Sequence, residues 1–295
     1  MTVEPVTLVP ATVPTPPERA LPAEARPSST VVTQLAWVGG FVVFAGKTFA
    51  NIPYVLAKYR GEVYRLLADV TFGGGLLAVA ASTVLVVFVI SAFVGITIGL
   101  EGYQGLQIIG LAPLAGYLSS YANTREIAPL ITAFGLAAQM GCKFTTQLGA
   151  MRINEEIDAL EVMSIRSLPY LVTTRLIAAL VVVTPLYLIA LSGAYLATQI
   201  TVIIVAHQGG GTYGHYFHAF LTARDVLLSV SKVWVFVVLV TISHCYYGFS
   251  VRGGPEEVGR LAGRAIRASI VIIAISDMLM TLAFWGTSSG IKFSG

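Results

Sequence analysis

Charge is scarce in this sequence: Lys, Arg, Asp and Glu together make up 11% of its 295 residues, against about 25% in an average soluble chain. So few charges cannot coat a globule of this size in water, which excludes an ordinary soluble domain. Cysteine is nearly absent, and Cys142 and Cys245 each sit inside an apolar run, so no disulfide framework is implied. The net charge of +3 is small, and no nucleic-acid partner is expected. No internal repeat appears. The N-terminus lacks the basic start and apolar stretch of a secretory signal. Residues 1–30 hold seven of the 13 prolines, a composition that buries no core and reads as a disordered arm.

What is present is apolar: 56% of the residues, gathered into runs of the length that spans a bilayer, about 20 residues. Five runs qualify, roughly 74–98, 127–150, 176–204, 230–250 and 268–287. A sixth, 105–121, is shorter and contains Pro113, and the positions of the basic residues decide its status. Lys47, Lys58, Arg60, Arg65, Arg152, Arg166, Arg175, Arg252, Arg260, Arg264 and Arg267 are eleven of the 18 basic residues. They fall on one side of the membrane only if 105–121 does not cross. The expected fold is therefore an all-α membrane protein with five transmembrane helices over 72–290. The N-terminus is cytoplasmic, the C-terminus external, and 100–126 an external loop with a short helix. Ahead of the first span, 34–68 interleaves aromatic and basic residues, which suits an amphipathic helix lying in the interface, the alternative being a small cytosolic helical domain.

Several local patterns invite a chemical reading. "GFVVFAGKT" (40–48) has five residues between its glycines where a phosphate-binding loop needs four, and no strand precedes it, so nucleotide binding is not expected. His207, His215 and His218 crowd 206–218, but a metal site wants a further ligand and fixed geometry. Three consecutive glycines make a solvated loop the better reading, and no metal site is expected. His244 reads as a hydrogen-bonded interfacial residue. Pro185 should kink the third span or mark its entry. Gly95 and Gly99 on span one, like Gly135, Gly141 and Gly149 on span two, permit close helix approach. Gln139, Lys143 and Gln147 recur every four residues and form one polar stripe on span two. A lysine there either faces protein or water or snorkels to the nearby cytoplasmic surface.

"MRINEEIDALEVM" (151–163) concentrates four of the 15 acidic residues. Ile153, Ile157, Leu160 and Ser164 follow at helical spacing with the acids on other faces, as in an amphipathic helix at the membrane surface. Such a helix either docks into a groove on a soluble partner or folds back on the spans.

"REIAPLITAFGLAAQMG" (125–141), "QLGAMRINEEIDALEVMSI" (147–165) and "YLVTTRLIA" (170–178) resemble the MlaE/YrbE permeases of ABC lipid transporters that work with MCE proteins. "GTYGHYF" (211–217) and "SHCYYGFSVRGGPEEVG" (243–259) resemble the B-type permease of actinobacterial Mce systems. The resemblance implies a non-catalytic plasma-membrane subunit that moves hydrophobic lipids (fatty acids, phospholipids or sterols). Its implied partners are a paralogous A-type permease, a cytosolic ATPase that binds ATP and Mg, and external MCE-domain subunits; the chain itself binds no cofactor. It implies that 152–163 is the coupling helix, with Arg152, Ile153, Glu155, Glu156, Ile157, Asp158, Leu160 and Glu161 meeting the ATPase. Its apolar ridge is expected to insert there. Gly95, Gly99, Gln139, Lys143 and Gln147 become candidates for the permease–permease interface or lipid path. Many relatives carry Arg and, eight residues on, Glu where this chain has Gln139 and Gln147, as expected of a chain that pairs with a non-identical permease. The alternative is a secondary transporter driven by an ion gradient, which would need several buried ionisable residues. A membrane enzyme would need a catalytic cluster, and none is read.

Overall fold

A computed structural model describes residues 30–71 and 78–286, with side chains placed for 38–67 and 83–286. Residues 1–29 of the expected Pro-rich arm, and the C-terminus expected outside, are not among them. The chain divides into two units, Met1–Gly40 and Phe41–Gly295, and the second contains all the spans. All described regular structure is helical.

Three helices precede the spans: α1 (Thr30–Ala50), α2 (Ile52–Lys58) and α3 (Arg60–Thr71). The single interfacial helix expected over 34–68 is thus broken twice. Pro53 lacks an N–H and crowds the carbonyl of the preceding turn, so α1 stops at Ala50 and the chain bends by 42° into α2. Asn51 covers the end of α1, its Nδ2 donating to the Lys47 carbonyl at 2.7 Å. "GFVVFAGKT" lies inside α1, with no loop to curl round a phosphate.

Among the described residues, five helices are long and apolar enough to cross a membrane. They are α4 (78–108), α5 (Ala112–Ile153), α7 (Pro169–Val205), α9 (Ala223–Phe249) and α10 (Pro255–Trp285). Short helices α6 (Glu156–Val162) and α8 (Gly210–Phe220) join them. The most apolar stretches of α5, α7 and α9 are 61%, 50% and 50% buried, against 22% and 11% for α4 and α10. The first three make the centre, and the other two flank it with apolar faces such as Phe93 and Met278 turned outward.

The external loop expected over 100–126 is not a loop. First, α4 continues to Ile108; Gly110, at φ +75°, turns the chain, and α5 begins at Ala112. Pro113, which counted against a span, occupies the first turn of α5, where its missing N–H costs nothing. The result is a 42-residue helix, about 63 Å long at 1.5 Å per residue. The span count of five stands, but span two starts well before residue 127. Similarly, the glycine-rich segment before 218 is helix α8, seated by buried Tyr213, whose hydroxyl donates to Ser119 Oγ at 2.9 Å. Burial pushes the Tyr213 phenol above its ordinary pKa. Pro185 lies within α7, which is helical on both sides of it.

Close backbone packing joins α4 to α7. A Cβ on Gly95 would lie 2.5 Å from the Ala194 carbonyl, and one on Gly99 2.8 Å from Thr201 Cβ. Ser91 Oγ donates to the Ala190 carbonyl at 2.7 Å and Thr198 Oγ1 to the Gly95 carbonyl at 2.9 Å, hydrogen bonds that close backbone approach permits. Gly95 and Gly99 therefore pack two spans of this chain against each other.

Candidate functional site

The acidic segment forms the sharpest corner of the molecule. Helix α5 ends at Ile153; Asn154 and Glu155 turn the chain, Glu155 in the left-handed region at φ 58°, and α6 runs for seven residues. Ile157 is 1% exposed in the main core beside Phe144, Leu148 and Leu171, and Leu160 packs against the same cluster. Ile153 belongs to the end of α5 and packs with Val251, Val258 and Leu261. The expected ridge of Ile153, Ile157 and Leu160 is thus divided between two helices and turned inward. Hydrophobic burial favours this, because the core of the same chain is always at hand. Ile157 anchors α6 instead of projecting from it.

The outer face of α6 is acidic. Glu155, Glu156, Asp158 and Glu161 are exposed, and Val162, at 86% exposure, is an apolar side chain left among them. Arg152 Nη1 meets Asp158 Oδ1 at 2.6 Å across the corner, and Ser167 Oγ donates to Glu161 Oε1 at 2.6 Å. The first link ties α5 to α6 and the second ties α6 to the segment leading into α7; the exposed ion pair contributes below about 1 kcal/mol.

The polar stripe on α5 faces outward: Gln139 and Gln147 are exposed and Lys143 is half-buried. Lys143 and Gln147 line a cavity of about 660 Å³ walled by α3, α5, α6 and α7. The stripe therefore opens to a surface and to a cavity that none of the described residues fills.

A second charged group lies near the other end of the spans. Lys232 on α9 is fully buried and donates three hydrogen bonds: to the Arg125 carbonyl at 2.8 Å, Glu126 Oε2 at 3.1 Å and Thr281 Oγ1 at 2.8 Å. Those use all three ammonium protons. Asp277 Oδ1, 2.6 Å away, completes the shell as an ion pair. Thr281 in turn donates to Glu126 Oε1 at 2.7 Å. Beside it Arg125 pairs with Asp225 at 3.0 Å, stacks on Tyr121 and Trp285, and Trp285 Nε1 donates to Asp225 Oδ1 at 2.7 Å. The local backbone explains part of this. A π-turn at Asn123–Ile127 is followed by Pro129, which has no N–H to give the Arg125 carbonyl, and Lys232 supplies the missing donor. The cluster ties α5, α9 and α10 together. The sequence reading missed it, although Lys232 and Asp277 fall inside the expected spans, where the rule that singled out Lys143 applies equally.

His215 and His218 are exposed on α8, His218 Nδ1 lying 2.8 Å from the Gly214 carbonyl. His244 is buried rather than interfacial: its Nδ1 is 2.9 Å from Thr145 Oγ1 and its ring packs where a side chain on Gly141 would sit. Among the described residues no three metal-ligating side chains converge.

Five long apolar helices joined by a short polar helix at one corner define a multi-pass membrane protein. The chain belongs to the MlaE permease family, whose model, "Permease MlaE", matches residues 73–283. It is 27% identical over 210 residues to a probable ABC transporter permease protein of Rickettsia bellii, covering 71% of this chain and 81% of that one. It is 28% identical to a probable ABC transporter permease protein of Synechocystis, over 71% and 80%. It is also 27% identical to the chloroplastic protein TRIGALACTOSYLDIACYLGLYCEROL 1 of Arabidopsis thaliana, over 68% of this chain and 58% of that protein. The chain is thus the non-catalytic permease subunit of an ABC transporter, and its driver is a partner ATPase. The ion-gradient alternative falls on that ground, although the buried ionisable groups whose scarcity counted against it are in fact present.

Proposed function

We propose that this permease moves a hydrophobic lipid across the cell envelope, as one of two non-identical permeases serving MCE-domain subunits outside the plasma membrane. Support for a lipid comes from the spans themselves and from the Arabidopsis relative, which bears the name of a glycerolipid. Support for a B-type role in an actinobacterial Mce system comes from "GTYGHYF" and "SHCYYGFSVRGGPEEVG". Support for an unlike partner comes from the outward stripe of Gln139, Lys143 and Gln147, which presents amides and one cation where two identical copies would oppose like charges. The N-terminus and α6 are on the cytoplasmic side in this reading, and the C-terminus is external.

The observation that carries the reading is α6: a charged helix held rigidly by Ile157 at a corner, with its acidic face and Val162 free. A helix seated in the core transmits a push from the ATPase to α5 and α7, which a free-standing one would not. Glu155, Glu156, Asp158 and Glu161 meet the ATPase at the rim, and Val162 is the apolar contact at the centre. Ile153, Ile157 and Leu160 support the helix from behind. The test is co-purification from the native membrane together with lipid uptake. Val162→Asp should leave the chain folded and paired with its partner permease, yet lose the ATPase and uptake. Retention of both would remove α6 from the coupling role.

A further inference from the structure

Helix α10 keeps one face out of the bundle. Arg260, Arg264, Arg267, Val271, Ile275 and Met278 are all exposed and follow at intervals of three and four residues, so they form one stripe. Leu261, Ala265 and Ile273 are buried on the opposite side. The stripe changes character once, from basic to apolar. At 1.5 Å per residue, Arg267 lies about 6 Å and Arg260 about 16 Å along the axis from Val271. With the apolar part of the stripe in hydrocarbon, the arginines reach the level of the lipid headgroups.

Their charge is poorly compensated within the chain. Like charges at i,i+3 and i,i+4 on a helix repel. Glu257 pairs with Arg260 at 3.0 Å, while Arg264 and Arg267 form no ion pair among the described residues. Other basic residues expected on the same side of the membrane are engaged: Arg65 pairs with Glu62, Arg152 with Asp158, and Arg166 stacks on Tyr54. Tyr247 of α9 is an electrostatic neighbour of both Arg264 and Arg267. It packs at the seam of α9 and α10 with Val251, Val258 and Leu261. Two guanidinium groups and a phenol thus gather beside one groove, directly below an apolar strip. An anion offsets the repulsion, and guanidinium groups suit the oxygen atoms of a phosphate.

We propose that this stripe docks an anionic phospholipid of the surrounding leaflet, with its phosphate on Arg264 and Arg267 and its acyl chains along Val271 and Ile275. The stripe shares no residue with the cavity lined by Lys143. Because Ile153 packs with Val258 and Leu261, the docked lipid sets the depth of the turn that backs the corner between α5 and α6. The inference rests on α10 crossing the membrane and is independent of what the permease transports.

The test uses the full-length chain, with the subunits that co-purify, in phosphatidylcholine nanodiscs. They contain a trace of phosphatidylglycerol bearing a photoreactive head group, and the cross-linked peptides are mapped. Labelling over 260–271 is expected, displaced by unlabelled phosphatidylglycerol and weakened by salt. Phosphatidylcholine bearing the same group should label this peptide about tenfold less, the scale of two basic residues acting on one anionic headgroup. Arg264→Gln combined with Arg267→Gln should lower the phosphatidylglycerol signal to the same extent, whereas Lys at both positions should retain most of it. These side chains are exposed, so the variants should fold as the parent does, which melting in detergent checks. Equal labelling by the two lipids overturns the proposal, as does unchanged labelling in the Gln pair. If a photoreactive residue at 271 links to a partner subunit while lipid labelling is absent, the stripe is a protein interface and the proposal falls.

Discussion

The two ends of α5 handle charge in opposite ways. Near Asn123–Ile127 the helix meets α9 and α10, and Lys232, Glu126, Asp277 and Thr281 close on one another with every ammonium proton used. Toward Ile153 it meets α6 and the cavity, where Lys143 lies in the wall and forms no ion pair among the described residues. Both lysines lie in candidate membrane spans, so residue type does not separate them. What separates them is whether other helices bring oxygen atoms to the nitrogen. A satisfied cluster fixes how the spans pack; an unsatisfied one is available to something that arrives from outside.

The comparison breaks hardest at Lys232. Lys232→Met would leave Glu126 and Asp277 facing each other without a cation, and removing one partner of a buried pair costs about 3–5 kcal/mol. Little folded protein should be recovered from the membrane, and what is recovered should melt early. Adding Glu126→Gln and Asp277→Asn to it should restore much of the yield, because the charges then disappear together. A well-folded Lys232→Met single variant would show that the cluster is not a structural lock.

At the other end the anchor of α6 comes next. Ile157→Ala should cost about 2–5 kcal/mol, near the lower limit because a seven-residue helix can settle into the gap. Thermal unfolding in detergent reads the loss, and ATPase capture should fall with it. Between the two ends, Gly141→Ala would set a methyl about 2.7 Å from the His244 ring, an overpacking worth roughly 1–3 kcal/mol. A shift in melting temperature without loss of assembly is expected. The smallest effect belongs to Lys143→Gln, which should change stability by less than about 0.5 kcal/mol. A large loss of stability there would mean that Lys143 has a structural partner after all and would erase the contrast with Lys232.

Much of the architecture was legible because it depends on local composition. Run length located five spans, and the spacing of Gln139, Lys143 and Gln147 placed them on one face. The start of α5 was misplaced because Pro113 and the surrounding Gly and Ser residues look like a break, whereas proline in a first turn is no break at all. Helical spacing from Ile153 to Leu160 was real in sequence but interrupted in space, since Glu155 adopts a left-handed conformation that no pattern of hydrophobicity records. The buried cluster was only half legible: an ionisable residue in a span is a signal by itself, but its partners are not.

The sequence alone determined the class of the protein, the number of its spans and its family, because hydrocarbon admits only helices and closed barrels, the apolar runs here have the length of spanning helices, and "EIDALEVM" is a long, specific run of residues. Only the tertiary structure decided the fate of each charge and each glycine. The hydrogen-bond partners of Lys232 are 49 to 107 residues away, and Gly95 meets a carbonyl 99 positions on. Periodicity reports which way a side chain points from its own helix. Whether it finds an oxygen, a neighbouring backbone or an open cavity depends on how the other helices pack against that face.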